Sequence, residues 1–280
     1  MKNPKIDIVI PTKNRYEFLA LVLQSLTNQT YKEWELLIVD DSDKPFDINN
    51  LPFISPFLRW MEHNKHEWRV MFGKKAGPHK AHQLSLEQSK NNYILRIDDD
   101  CIINESYIEE LVKSILSKEH CGAVGGVILD PSQPIVSQIM PKDADFTKEY
   151  SGNIWEDEQG NPYHSPSLQW FYHSDEVLKP VQHIHSSFLY KKAAALAIGG
   201  WEDMNLSKVG MTEETWFTYK LHLAGWKMYI APKALAWHLK APVGGVRTDK
   251  DTDDLSKLYY NDRVIFAEWY KGLKNVTPKA

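Results

Sequence analysis

Three short apolar runs in the first hundred residues each stop at polar or acidic side chains, with segments of helical pattern between them. Ile6–Ile10 runs into Pro11, Leu36–Val39 into Asp40 and Asp41, and Tyr93–Ile97 into Asp98, Asp99 and Asp100. Continuous apolar runs of this length suit strands buried on both faces, as in a parallel sheet. Between the first two, Phe18, Leu19, Val22, Leu23 and Leu26 recur near helical spacing, which predicts a strand–helix–strand unit. "WRVMF" at 68–72 reads as another strand, and Gly77-Pro78 precedes a helix. "NESYIEELVKSILSK" reads as a helix with Asn104 as its N-cap, and "CGAVGGVIL" as a buried strand. The segment from Asp43 to Trp60, with Pro45, Pro52 and Pro56, reads as irregular. Up to Asp130 the alternation predicts an α/β nucleotide-binding architecture.

Beyond Pro131 the text turns polar and aromatic as far as Pro180, with a hairpin expected at Gln159-Gly160-Asn161. Long irregular segments in a compact domain are often binding loops. "HIHSSFLYKKAAALAIGGW" resumes strand then helix. "TEETWFTYKLHLAGWK" reads as an amphipathic helix closed by Gly225, "MYIAPKALAWHL" as strands, and "LSKLYYNDRVIFAEWYKGL" as a helix. The whole chain, 1–280, is expected to be a single domain.

A formal net charge of −4, from 33 basic and 37 acidic residues, argues against broad nucleic-acid binding, which needs a basic face. With only two cysteines, Cys101 and Cys121, a reducing compartment fits better than a disulfide framework. The N-terminus shows no signal-peptide pattern, and no window approaches the roughly 18 apolar residues of a membrane span. A cytoplasmic protein is expected, with peripheral contact at the inner face of the membrane left open.

Ligands of α/β sheets bind beyond the carboxyl ends of the strands, so Asp41 and the Asp98–Asp100 cluster should share one edge. Asp40, Asp41 and Asp43 also suit turn chemistry. Three adjacent carboxylates buried without partners would cost several kcal/mol each or take up protons. A hard divalent cation, Mg2+ or Mn2+, resolves that repulsion; a solvated acidic turn is the alternative. In an extended segment Asp98 and Asp100 would face one side and Asp99 the other. Glu213 and Glu214 begin a predicted helix, where acids are stabilising anyway; the functional alternative is a general base. His238 ends an apolar run and suits either a structural role or a metal ligand. His183 and His185 would face one side of a strand, with a second metal site as the remote alternative.

Taken in order, these segments resemble the GT-A glycosyltransferases, specifically the large family 2 group, over roughly residues 4–240. "IDIVIPTKNRYEFLALVLQSLTNQTYKEWELLIVDDSD", "NNYILRIDDDC", "GGWEDMNLSKVGMTEETWFTYKLHLAGWKMYIAP" and "AWHL" carry the likeness. The resemblance implies a Rossmann-like mixed, mainly parallel sheet flanked by helices, with an acceptor-side insert and a C-terminal helix: a nucleotide-sugar-binding half (1–130), an acceptor-binding half (131–240), then a lid loop and C-terminal helix (241–280). It implies a metal-dependent, inverting transfer from a nucleotide-diphosphate sugar, UDP by default, to a hydroxyl acceptor in surface-glycan or polysaccharide synthesis. The acceptor is left as a glycan, a lipid-linked glycan or a protein. Pro11, Thr12, Asn14 and Arg15 would lie against the nucleoside, Asp41 against the base, and Asp98 against ribose or metal, with Asp99 between the two motif acids. Asp100 and His238 would complete the Mn2+ or Mg2+ shell of an Asp-x-Asp motif, and Glu214 would be the base. The chain departs from the family pattern in having Glu213-Glu214 where Glu-Asp is usual, which leaves Glu213 in play. It also has His82-Gln83 where Arg-Asn is usual, leaving Lys80 or His79 for phosphate. Trp155, Trp170 and Trp201 would wall the acceptor side, with a satellite core as the alternative, and Arg247 would belong to a lid. A nucleotidyltransferase shares a similar sheet, but "PTKNR" lacks that class's glycine-rich phosphate loop. A non-catalytic nucleotide-sugar-binding module is the other alternative.

Overall fold

The alternation predicted for the first half is realised in a 9-stranded mixed sheet with helices on both faces. The structure is a computed structural model that describes residues 3–139, 152–164, 168–201, 204–245 and 255–275; Arg247 lies outside them. The strands are β1 (Ile6–Thr12), β2 (Trp34–Asp40), β3 (Trp68–Phe72), β4 (Tyr93–Arg96), β5 (Cys101–Ile103), β6 (Cys121–Leu129), β7 (Ile154–Glu156), β8 (Pro162–His164), β9 (Lys179–Val181), β10 (Phe188–Lys191) and β11 (Lys227–His238). The helices are α1 (Tyr16–Thr27), α2 (Ser55–His63), α3 (Pro78–Gln88), α4 (Tyr107–Ser117), α5 (Lys192–Ala197), α6 (Glu213–Leu223) and α7 (Leu255–Asn275).

The main sheet runs β3-β2-β1-β4-β10-β6-β11-β5, with β9 also paired to β11. β3, β2, β1 and β4 are parallel, β10 enters antiparallel between β4 and β6, and β6 and β11 are parallel. Strand period two divides the interior between two faces. Ile6, Ile8 and Ile10 point into the layer that holds Leu19, Leu23, Leu58 and Leu111 of α1, α2 and α4. Val9, Leu37 and Val39 point the other way, toward Ala81, Phe217 and Phe266 of α3, α6 and α7. Parallel β1, β2 and β4 therefore deliver their carboxyl ends, Thr12, Asp40 and the residues after Arg96, to one edge.

Several expectations are revised. The segment from Asp43 to Trp60 contains a 3-10 turn at Ile48–Asn50 and the start of α2. Pro56 sits in the first turn of α2, where its missing N–H would have had no intrahelical partner anyway. Asn104 is not the cap of α4, which begins at Tyr107. Its side chain bonds Ser106 Oγ and the Lys233 carbonyl, tying the helix entry to β11. α6 is not amphipathic: Thr215, Trp216, Phe217, Thr218, Tyr219 and Leu221 are all buried. It is enclosed because α7 lays Phe266 and Trp269 against Trp216, with ring centroids 5.9 and 4.8 Å away. "MYIAPKALAWHL" is one strand with a register shift between Ala231 and Leu235, which accommodates Pro232. The hairpin is found as expected, β7 to β8, with Gly160 at φ +73° in the turn.

Candidate active site

The strand ends open into a cleft of about 430 Å³ whose walls come from both halves of the sheet. On one side are Pro11, Thr12, Lys13 and Arg15 after β1 and Asp41 after β2. Asp98, Asp99 and Asp100 form the floor, and His238, Lys240, Ala241 and Gly245 follow β11. Facing them are Trp170, His185, Ser186, the segment Val209–Glu214, and Tyr259 of α7.

The Asp cluster is neither a solvated turn nor an extended segment. Asp98 is half-buried, and Asp99 and Asp100 are buried in a tight turn, so the two-sided alternation expected of a strand does not apply. Two arginines answer the three carboxylates. Arg96, only 2% exposed, donates from Nη2 to Asp98 at 2.9 Å. Arg15 Nη1 reaches both Asp99 at 3.1 Å and Asp100 at 3.3 Å. Asp98 also accepts from Ser186 Oγ at 2.5 Å, Asp99 from Thr12 Oγ1 at 2.8 Å, and Asp100 from the Ala241 N–H at 3.0 Å. His238 Nε2 lies 3.2 Å from Asp100. Burial opposes ionisation at all three, but the outcomes differ. Burial pushes Asp99 up to about 7 despite Arg15. Burial is the largest single influence at Asp98 and Asp100 too, but at Asp98 the Arg96 and His238 charges with the Ser186 and Arg96 hydrogen bonds together outweigh it, and at Asp100 the His238 contact with the Arg15 charge does, so both carboxyls titrate below their ordinary value.

The acidic pair after β2 divides its work. Asp40 points inward, accepting from Tyr16 Oη at 2.7 Å and the Ser42 N–H at 2.9 Å. Asp41 lines the cleft and accepts from the Lys75 N–H at 3.1 Å. Its carboxylate lies where a side chain on Gly73 would be: an added Cβ would sit 1.8 Å from Oδ1. Burial raises the Asp41 pKa.

Across the cleft, Glu213 and Glu214 begin α6, one beside the other, on the Arg96 guanidinium. Nη1 is 3.3 Å from Glu213 and Nη2 is 3.4 Å from Glu214. Glu213 is buried; burial and then the neighbouring Glu214 charge raise its pKa far above the carboxylate range. Glu214 titrates low, because Arg96 and a hydrogen bond with Glu213 overcome burial. It also accepts from the Ser186 N–H at 3.2 Å. The two carboxyls are thus shifted in opposite directions, Glu213 up and Glu214 down. The entry to α6 is held from behind by Asp262 of α7, buried, which accepts from Ser207 N and Oγ and from Met211 N at 2.7–2.9 Å.

Positive φ at non-glycine residues marks the rim: Asn14 (+54°), Ser186 (+53°), Thr212 (+73°) and Lys240 (+51°). Such conformations cost on the order of 1–3 kcal/mol and concentrate where function fixes a backbone. Thr212 is β-branched and directly precedes Glu213.

Not every expected residue reaches the cleft. Pro11, Thr12, Arg15, Asp41, Asp98, Asp99, Asp100, Glu213, Glu214, His238 and Trp170 line it. Asn14 is exposed and bonds Asp43, bracing two loops. Lys80 is not among the lining residues, and His79 is buried with a pKa lowered by burial to about 4. Trp201 is 0% exposed, stacked on Phe217 at 4.0 Å and 5.6 Å from the Arg96 guanidinium; it supports the site from beneath instead of walling it. Trp155 lies in the β7–β8 hairpin, outside the lining. His183 and His185 meet edge to face, 4.8 Å apart. Among the described residues the metal-capable grouping is Asp98, Cys101 and His238, and it includes neither of those histidines. Arg96, Ser186 and Asp262 were not singled out from the sequence. For Arg96 a signal existed, since a guanidinium in the apolar run "YILRI" needs buried acids to answer it.

The fold has solved counterparts. The structure of GalNAc-T7 with UDP, GalNAc and Mn2+ aligns with 96% of this chain and 50% of its own, at TM-score 0.65 and 14% identity. Staphylococcus aureus TarS 1–349 with UDP-GlcNAc aligns with 93% and 65%, at TM-score 0.59 and 16% identity. Fold and cleft together define a GT-A glycosyltransferase architecture. Residues 7–151, just over half of the chain, match the model of glycosyl transferase family 2, and the chain belongs to that family. Glycosyltransferase GlyA of Streptococcus pneumoniae is 28% identical over 125 residues, 43% of this chain and 16% of the relative. A GalNAc(5)-diNAcBac-PP-undecaprenol beta-1,3-glucosyltransferase of Campylobacter jejuni is 24% identical over 152 residues, 53% of this chain and 43% of the relative. The matched stretches thus span less than half of either relative. No described helix is long and apolar enough to cross a membrane.

Proposed function

We propose that this chain is a metal-dependent, inverting glycosyltransferase that moves a sugar from a nucleotide-diphosphate donor, UDP-linked by preference, to a hydroxyl of a surface glycan or its lipid-linked precursor. The observation that carries this reading is one cleft lined by Glu214 at the start of α6 and by Asp41, Asp98, Asp100 and His238 at the strand ends. Residues 1–130 would serve as the donor half and 131–240 as the acceptor half, with helix α7 (Leu255–Asn275) packed behind α6.

Asp41, fixed by the Lys75 N–H, offers an acceptor to the N3–H of uracil. Lys13, Arg15 and Lys240 border the same end of the cleft and suit a diphosphate. Donor atoms of Asp98, Cys101 and His238 lie within 4.8 Å of one another, and Asp100 Oδ1 is 3.2 Å from His238 Nε2; a hard divalent cation would take the carboxylates and the imidazole of this set. Mn2+ or Mg2+ held by these residues would supply positive charge against the departing diphosphate. Glu214, ionised, accepts the proton of the acceptor hydroxyl as its oxygen bonds to the anomeric carbon. The bond from that carbon to the phosphate oxygen breaks on the opposite face, and configuration inverts. Glu213, whose pKa burial and the Glu214 charge raise, favours its neutral form beside the base.

The test is calorimetric titration of UDP, GDP, TDP and CMP with Mn2+ and with EDTA, followed by sugar transfer from the matching donor. Tight binding of one diphosphate that is lost in EDTA, together with transfer, supports the reading. Binding without transfer to any acceptor or to water would make the chain a nucleotide-sugar-binding module, and no metal-dependent binding would refute the donor site.

A further inference from the structure

We propose that Arg96 is a positioning residue that holds the two chemical ends of the cleft on one guanidinium, fixing the base Glu214 relative to the donor-side carboxylate Asp98. The inference rests on the function proposed above and concerns a residue which that function does not use directly. Arg96 Nη2 donates to Asp98 at 2.9 Å and to Glu214 at 3.4 Å, while Nη1 donates to Glu213 at 3.3 Å. Asp98 follows β4 and Glu214 opens α6, and their sequence separation means only tertiary contacts set the distance between them.

The guanidinium is itself immobilised. It lies against two aromatic rings, 5.4 Å from Phe188 of β10 and 5.6 Å from Trp201. Trp201 in turn stacks on Phe217 of α6 with 1° between the planes. A planar, forked cation that is buried, held against two rings and bonded to three carboxylates has little freedom, and its donors point in fixed directions. Ser186 repeats the link on the other side, giving its Oγ to Asp98 and its N–H to Glu214. The two carboxylates are thus joined by a side chain from β4 and by Ser186, two residues before β10. A lysine keeps the charge but offers a single nitrogen, which cannot reproduce a fork that spans three carboxylates.

The test uses the full chain with its nucleotide-sugar donor and Mn2+, and compares Arg96→Lys and Arg96→Ala with wild type. Nucleotide-diphosphate binding is read by calorimetry, and kcat and KM by initial rates. A displacement of about 1 Å at a reacting group costs on the order of 100-fold in rate. Arg96→Lys is expected to lose about that much in kcat while donor KM and diphosphate affinity stay within about threefold, a split that partial unfolding does not give. Arg96 lines the cleft, so the space left in Arg96→Ala is open to a small cation. Guanidinium at non-denaturing concentration should restore kcat at least tenfold, and methylammonium should not. If Arg96→Lys turns over within about threefold of wild type, or if no Arg96→Ala preparation that binds diphosphate responds to guanidinium, the positioning role is refuted. A wild-type chain that transfers no sugar refutes the proposed function and this inference with it; an active wild type with indifferent Arg96 variants refutes the inference alone.

Discussion

Replacing Trp201 with Ala separates two roles that an aromatic residue near a sugar site can have. If the ring walled the acceptor site, its loss would weaken acceptor binding and leave folding alone. The structure gives the other answer: Trp201 is wholly buried, 4.0 Å from Phe217, 4.9 Å from His82 and 5.6 Å from Arg96. Emptying such a position costs about 3–5 kcal/mol, from lost burial plus the cavity left behind. An unfolding entropy of about 2.1 cal/mol/K per residue over 280 residues is about 0.6 kcal/mol/K, so the midpoint should fall by roughly 5–9 °C. The assay is thermal unfolding by circular dichroism, paired with acceptor KM at 20 °C. Because Trp201 also seats Arg96, kcat should drop while acceptor KM holds within about threefold. A midpoint within about 2 °C of wild type, with acceptor KM raised tenfold or more, would refute the buried-support reasoning.

Glu214→Gln should lower kcat by about 10²–10⁴, the usual worth of a general base, while UDP affinity in Mn2+ persists; unchanged turnover would show the base lies elsewhere. Gly73→Ala drives a Cβ into Asp41 and should displace its carboxylate, weakening UDP binding by about 10–100-fold, the worth of one hydrogen bond to a charged group. An unaltered dissociation constant by calorimetry would remove Asp41 from the base pocket. Asp99 holds its proton up to about pH 7 in the metal-free fold, against an ordinary value of 3.8, so its stabilising share is complete below 3.8 and lost as pH rises through 7. Asp99→Asn should therefore gain stability relative to wild type between pH 4 and 8, measured by urea unfolding in EDTA; a gap independent of pH would contradict the assignment.

What could be read from the sequence was what local chemistry announces. Asp41, Asp98, Asp100 and His238 stand at the ends of apolar runs, and parallel topology carries strand ends to one edge whatever the later loops do. Glu213-Glu214 was visible as an acidic helix start, but the opposite shifts of the two depend on burial, on their mutual charge and on Arg96, all set by tertiary packing. Trp201 was misplaced because its neighbours Phe217 and His82 come from distant segments, and an aromatic residue looks the same in a core and in a sugar site. The start of α2 was obscured by its prolines, which break a helix interior but suit its first turn. Asp262 gave no local hint, since a lone acid on a terminal helix is ordinarily solvated; burial against Ser207 and Met211 gives it a task.

The chain between β6 and β10 departs from and returns to neighbouring positions of one sheet, because those strands are paired, with Gly125 opposite Phe188. Its two attachment points are held together by the ladder, whatever the intervening length. Closing a loop costs only about 0.6 kcal/mol more for each doubling of its length. The proposed acceptor side can therefore be lengthened, shortened or exchanged over an evolutionary lineage while Asp41, Asp98 and Asp100 stay where they are. A lineage built on this frame can diversify the glycans it extends far faster than the nucleotide it reads.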